Sequence, residues 1–151
     1  MKLIKQPFDI NRSLVKDFII SSEKVANVQV GNTIEHALLV LTKTGYSSIP
    51  VLDYSYKLQG LISMPKIMDK TLGLERIELE NLETIKVEEV MLTDIPMLRE
   101  ETTFKEGLLL LIDHPFICVV DKDGLFTGIF TRREALKNWR NSLFVKDKSV
   151  E

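Results

Sequence analysis

The chain has 151 residues, 44% of them hydrophobic, which is enough for one good core and too few for two large independent domains. Twenty basic and twenty-two acidic side chains nearly cancel, so no global field draws the protein onto DNA, RNA or anionic lipid, and any bound anion must be held by a local cluster. The longest apolar run, residues 108–112, is far below the ~20 residues of a membrane span. No signal-peptide charge order is present, and the lone Cys118 has no internal disulfide partner, which together point to a soluble cytoplasmic protein.

Residues 1–12 lack periodicity and read as an arm. Ser13 is placed to N-cap a short helix carrying Leu14, Val15, Phe18 and Ile19, ending near Ser21 and Ser22. In residues 23–30, Val28 and Val30 alternate with polar neighbours as in a short strand, which Gly31 closes. Asn32 followed by Glu35 has capping-box spacing, and Ile34, Ala37, Leu38 and Leu41 form the apolar stripe of a helix that stops before Gly45. Residues 45–53 then read as a backbone turn feeding a buried strand at 49–52, with Tyr46, Ser47 and Ser48 held as a polar rim at its edge. A turn around 53–57, a strand at 58–62 and a helix capped by Ser63, with Pro65 in its first turn, complete the order strand, helix, strand, strand, helix.

Residues 71–90 interrupt this pattern with six acidic side chains against two basic ones, an acidic and partly helical connector. The second half repeats the first. Val87 to Met91 stand where the short helix with Phe18 and Ile19 stood, Pro96, Met97 and Leu98 match the first strand, and Thr103 with Glu106 again has capping-box spacing ahead of Phe104, Leu108, Leu111 and Ile112. Asp53 and Asp121, Gly60 and Gly128, and Ser63 and Thr131 are each 68 residues apart; the offset drifts to 70 at Thr33 and Thr103 and to about 72 at Phe18 and Val90. A shared element order with small length changes is the mark of two diverged copies of one unit. A final helix from Arg132 to about Leu143 carries Leu136, Trp139 and Leu143 on one side.

Little here suggests chemistry. His36 and His114 lie in different copies without metal-ligand spacing, Cys118 sits mid-strand with no evident base, and no phosphate loop, dinucleotide fingerprint or nucleophile elbow is present. The residue pattern at Thr131, Arg132, Arg133 and Glu134 is more informative. With Thr131 as N-cap and Glu134 closing a capping box, two arginines fall in a first helical turn, where the helix dipole disfavours cations unless an anion is bound. The plain alternatives stay open: both arginines point to water, and the capping box needs no ligand.

Residues 45–51 followed by Gly60, Leu61, Ile62 and Ser63, and residues 128–134, resemble the CBS domain. Two such motifs in tandem resemble a Bateman module over about residues 14–143. More narrowly, residues 24–31, 39–46, 73–78 and 90–96 resemble the stand-alone cyclic di-AMP-binding CBS proteins of Gram-positive bacteria, the DarB or CbpB type. The resemblance implies an α/β (α+β) fold of two tandem βαββα repeats, forming one Bateman module that dimerises into a disc. Its divisions are an arm at 1–13, a first repeat at 14–72, an acidic connector at 73–86, a second repeat at 87–143 and a tail at 144–151.

The same resemblance implies a homodimer that binds an adenine nucleotide without catalysis, with no cofactor, and with the (p)ppGpp synthetase/hydrolase as protein partner. Carried over by position, the ligand site is Lys24, Ala26, Val28, Tyr46, Ser47, Phe130, Thr131, Arg132 and Arg133. Each has a blander reading: Lys24 as a solvated surface lysine, Ala26 and Val28 as core, Tyr46 as half-buried packing. A complementary cleft would gather Asp94, Pro96, Leu98, Asp113, Phe116, Ser63 and Lys66, and its two carboxylates repel phosphate, which leaves one competent site per chain. Where the CBS pattern has an Asp that holds ribose hydroxyls, this chain has Lys66 and Glu134, and the second copy lacks the turn glycine and proline. The expected ligand is cyclic di-AMP, with AMP, ADP or ATP as the alternative; a ligand-independent protein-interaction module is the competing function.

Overall fold

A computed structural model describes residues 8–148; residues 1–7 of the arm and 149–151 of the tail lie outside the described residues. Length favours a single compact unit, but the chain gathers into two. One unit runs from Ser22 to Ile95 and includes Lys122–Phe126; the other takes the segment up to Ser21, Pro96–Asp121 and the chain from Thr127 onward.

In the first unit, β2 (Val28–Gln29), β3 (Ser48–Leu52) and β4 (Leu58–Ser63) form a three-stranded sheet in that order, parallel between β2 and β3 and antiparallel between β3 and β4. Helix α1 (Ile34–Thr44) starts at Thr33, whose Oγ1 accepts from the His36 N–H (3.2 Å), and buries Ile34, Ala37 and Leu41. The expected cap at Asn32 is corrected. Its Oδ1 accepts from the Gln29 N–H (2.8 Å) to close the turn after β2, so capping falls to the next residue. Gly45, at φ 77°, ends α1 by donating its N–H to Leu41 O. Pro50 is accommodated because β2 pairs with β3 only from Val51 onward, so the missing N–H faces no second strand. Helix α2 (Met64–Thr71) follows β4 directly, and α3 (Asn81–Thr84) is the one helical turn within the connector among the described residues.

The second unit holds β1 (Ile20–Ser21), β5 (Met97–Arg99), β6 (Phe116–Val120) and β7 (Phe126–Thr131) in the order β1-β7-β6-β5, with α4 (Phe104–Leu110) and α5 (Arg132–Lys148). Thr103 and Glu106 form the expected capping box at α4, each side chain bonded to the other's backbone N–H at 3.3 Å. Helix α5 outruns its expected end near Leu143 and continues through Lys148.

The segment leading into each repeat is used by the other repeat's unit. Val15 and Phe18 pack in the second core beside Phe104, Ile117 and Phe130, whereas Val87 and Val90 pack in the first core beside Ile34, Val51 and Ile62. The contacts repeat one another. Val15 N–H donates to Thr102 O (2.8 Å) as Val87 N–H donates to Asn32 O (2.9 Å), and Ile20 pairs with Ile129 as Leu92 pairs with Leu61. The sequence offsets of 72, 70 and 68 are those of the leaders, the helix caps and the last strands of the two copies.

This sharing explains two departures from expectation. The helix expected after Ser13 is a single 3-10 turn, Val15–Asp17, because the Val15 and Lys16 N–H groups are taken by Thr102 and Glu100 carbonyls, and because the Ser13 hydroxyl accepts from Asp9 N–H instead of capping. The segment then extends into β1, antiparallel to β7, a strand the sequence pattern did not signal. The described part of the arm is also packed. Phe8 lies edge-on to Phe104 (4.8 Å) and Phe18 (5.6 Å), and Phe104 is edge-on to Phe130 (5.4 Å), pairings that add about 0.5–1.5 kcal/mol each beyond burial.

Gly60 and Gly128 permit the leaders to lie against the sheets. A Cβ on Gly60 would stand 2.4 Å from Leu92 O, and one on Gly128 would stand 2.2 Å from Ile20 O, both backbone atoms with no room to yield. Gly60→Ala and Gly128→Ala should each lower the unfolding free energy by at least about 1–3 kcal/mol in urea titrations. A wild-type midpoint for either would mean that the leader does not lie there.

Candidate functional site

The residues expected to hold a ligand fall on two short stretches of the first unit and one of the second. In the first unit Lys24 ends the 3-10 turn Ser22–Lys24 and is exposed. Ala26 is half-buried against the core, and Val28 is buried within it, so its side chain is a wall from behind at most. Tyr46 and Ser47 are exposed just after the left-handed Gly45, and Ser47 O accepts the Met64 N–H (3.0 Å), which ties this rim to the start of α2. A ring and a hydroxyl are thus presented to solvent on a backbone fixed at both ends.

In the second unit the β7–α5 junction carries Phe130, Thr131, Arg132 and Arg133. Phe130 is fully buried, edge-on to Phe104, so its ring belongs to the core of the second unit. Thr131 Oγ1 accepts from the Glu134 N–H (3.1 Å), which establishes it as the N-cap. The two arginines, alike in sequence, differ in structure. Arg132 donates from Nε to Leu111 O (2.6 Å) and from an Nη to Ile112 O (2.9 Å), whereas Arg133 is exposed and makes no side-chain hydrogen bond or ion pair among the described residues.

The reason lies at the end of α4. In the first copy Gly45 turns left-handed and caps the helix; in the second Asp113 stands there, and the Leu111 and Ile112 carbonyls just past α4 take the Arg132 guanidinium instead, a cation well placed at a helix C-terminus. Sequence reading missed this. The available signal was the paired loss of glycine at 113 and gain of an arginine at 132, where the first copy has Met64. Arg132 keeps unused N–H donors, but Arg133 is the cation left uncompensated at the N-terminus of a 17-residue helix.

Of the complementary set, Asp94, Asp113 and Lys66 are exposed, Ser63, Pro96 and Phe116 half-buried, and Leu98 buried. Ser63 begins α2 without a side-chain cap bond. Cys118 is buried in β6, and desolvation pushes its thiol up to about 12. His36 is exposed on α1 and His114 half-buried before β6. Among the described residues no group of three or more His, Cys, Asp or Glu side chains could hold a metal ion, and no helix is long and apolar enough to cross a membrane.

Two units with exchanged leaders and a duplicated helix-start motif define a tandem-repeat module. The CBS domain model matches residues 15–73 and 87–141, and the chain belongs to the CBS domain family. It is 57% identical over 123 residues to cyclic di-AMP receptor B of Bacillus subtilis strain 168, covering 82% of this chain and 84% of that protein. A crystal structure of a Bacillus anthracis CBS domain-containing protein of unknown function is 62% identical, with a TM-score of 0.79 over 85% of this chain and 93% of its own. Listeria monocytogenes CbpB, crystallised in complex with c-di-AMP, is 55% identical with a TM-score of 0.79, over 87% of this chain and 98% of its own.

The contrast between the arginines is measurable. Arg132→Ala should cost about 1–2 kcal/mol of stability by leaving the Leu111 and Ile112 carbonyls without their donors, and Arg133→Ala should stay within about 0.5 kcal/mol in the absence of ligand. Equal losses in denaturant titrations would contradict the division of roles. The Cys118 thiol should resist a disulfide reagent in the native protein and react fully once unfolded. Because its folded pKa is raised, its contribution to stability is intact below the ordinary thiol value near 9 and declines as pH rises from there towards about 12.

Proposed function

We propose that this chain is a non-catalytic cyclic di-AMP receptor whose ligand state controls docking to a partner enzyme, the (p)ppGpp synthetase/hydrolase being the partner the family likeness favours. The observation that carries the nucleotide reading is the 57% identity to a protein named for cyclic di-AMP reception, with a second relative, at 55% identity, crystallised with that ligand. The residues agree in kind. Arg133 is an exposed guanidinium at a helix start, and a phosphodiester anion would pair with it; the Arg132 and Glu134 N–H groups on either side are already bonded to Pro115 O and Thr131 Oγ1.

The proposed contacts are Arg133, the spare donors of Arg132, Thr131 and the Phe130 backbone for the phosphate, and Tyr46, Ser47, Ala26 and Val28 for an adenine, with Lys24 as a second cation. The protein would act as a homodimer. Leu109 and Ile112 on and just beyond α4, and Leu136, Trp139 and Leu143 on α5, are large apolar side chains left exposed in the single chain, at a spacing suited to helix–helix packing. For docking to report the ligand, the partner must bind the empty and filled forms with different affinity.

Thermal unfolding with cyclic di-AMP, AMP, ADP and ATP tests this directly. At 100 times its dissociation constant the true ligand should stabilise by about 2.7 kcal/mol, and Arg133→Ala should weaken binding by ~1.5–3 kcal/mol, about 10- to 150-fold, in calorimetry. A larger response to AMP or ATP would replace cyclic di-AMP as the ligand. No response to any of them would leave a ligand-independent interaction module.

A further inference from the structure

The connector between α2 and the 3-10 turn Val87–Glu89 has a surface that the nucleotide reading does not use. Within eight residues Leu72, Leu74, Ile77 and Leu79 all stand in water, Leu74 at 107% of its reference exposure. Single exposed leucines need no explanation, but four grouped together form an apolar patch that gains free energy on being covered.

The segment is built, not slack. Leu72 pairs with Ile77, Glu78 N–H donates to Thr71 O (2.5 Å), and Gly73 N–H donates to Arg76 O (2.8 Å). Asn81 Nδ2 donates to Lys70 O (2.8 Å) and to Glu78 Oε2 (3.0 Å), while Arg76 forks onto Glu80, whose carboxyl it holds below the ordinary range. Gly73 is required by the closure, since a Cβ there would lie 2.7 Å from Glu78 Oε1 and 2.9 Å from Arg76 O. Backbone order of this kind holds apolar side chains outward without burying them.

Its charge selects the occupant. Residues 69–84 carry Asp69, Glu75, Glu78, Glu80 and Glu83 against Lys70 and Arg76, a net −3 set beside −2 for the entire chain. Glu75 and Glu83 are exposed. An acidic field of this kind repels nucleic acid and anionic lipid and attracts a cationic surface. We propose that the connector is a docking site for a partner protein's basic amphipathic segment, apolar side chains seated on Leu72, Leu74, Ile77 and Leu79, and lysines or arginines facing Glu75 and Glu83. The site does not rest on the nucleotide reading and would be present whichever ligand the protein takes.

The test uses the full chain, a fluorescein-labelled amphipathic Lys/Leu helical peptide as probe, and its Glu/Leu counterpart as control. The Lys/Leu peptide should bind, weaken as salt is raised, and slow hydrogen exchange in residues 72–84. Leu74→Ser with Ile77→Ser, and separately Glu75→Lys with Glu83→Lys, should each weaken it at least about tenfold while leaving the melting temperature and the cyclic di-AMP response unchanged. Unchanged binding in both variants, protection that maps elsewhere, or equal binding of the Glu/Leu peptide would overturn the proposal. So would loss of a dimer in either variant by light scattering, because the patch would then belong to a second copy of this chain.

Discussion

A backbone carbonyl lying across a strand glycine is the contact from which the rest of this architecture follows. Leu92 O meets Gly60 and Ile20 O meets Gly128, at distances that exclude even a methyl group. Each of those carbonyls belongs to the leader of the other repeat, so each repeat's core is completed by residues from the other. The core of the second unit therefore includes Val15 and Phe18 from near the chain's beginning, and the core of the first includes Val87 and Val90 from beyond the connector. Two small cores can be sustained in one chain of this length because each recruits apolar side chains from both halves.

Duplication supplied symmetry, and drift within the copies supplied difference. The end of α1 is satisfied locally by Gly45, a residue free to turn left-handed. Beyond α4 Asp113 stands where that exit would be, and the Leu111 and Ile112 carbonyls just past the helix are satisfied by the side chain of Arg132, about twenty positions on. A local backbone solution in one copy has become a long-range electrostatic one in the other. The first turn of α5 therefore presents Arg133 as a cation with no side-chain partner among the described residues, while α2, which starts with Met64 and Pro65, has nothing equivalent in that turn before Lys66.

That division separates roles that sequence makes look alike. Residues whose donors are already used stabilise the junction whether or not a ligand is present, and residues whose donors are idle are the ones a ligand can reward. Tyr46 and Ser47 belong to the idle kind, held on a turn whose backbone is pinned by Gly45 on one side and by Met64 on the other. The connector, with its apolar side chains turned outward, is a different kind of surface and invites a protein.

Local chemistry was legible from the residues. The two copies and their drifting offset, the order of strands and helices, the left-handed stop at Gly45, the Thr103–Glu106 box and the buried Cys118 all follow from spacing and side-chain type within a few positions. What the residues left open was settled by competition for distant partners. Thr102 and Glu100 carbonyls turned an expected helix into one 3-10 turn and a strand, Gln29 drew Asn32 away from its cap, Phe8 left the arm for the phenylalanine cluster, and Phe130 turned its ring into the core. Arg132 and Arg133 stand side by side in the sequence, and only the folded chain, by bringing the Leu111 and Ile112 carbonyls past α4 to one of them, decided which would be structural. A hydrogen-bond donor goes to the acceptor that the fold brings within reach, and no window of neighbouring residues contains that acceptor.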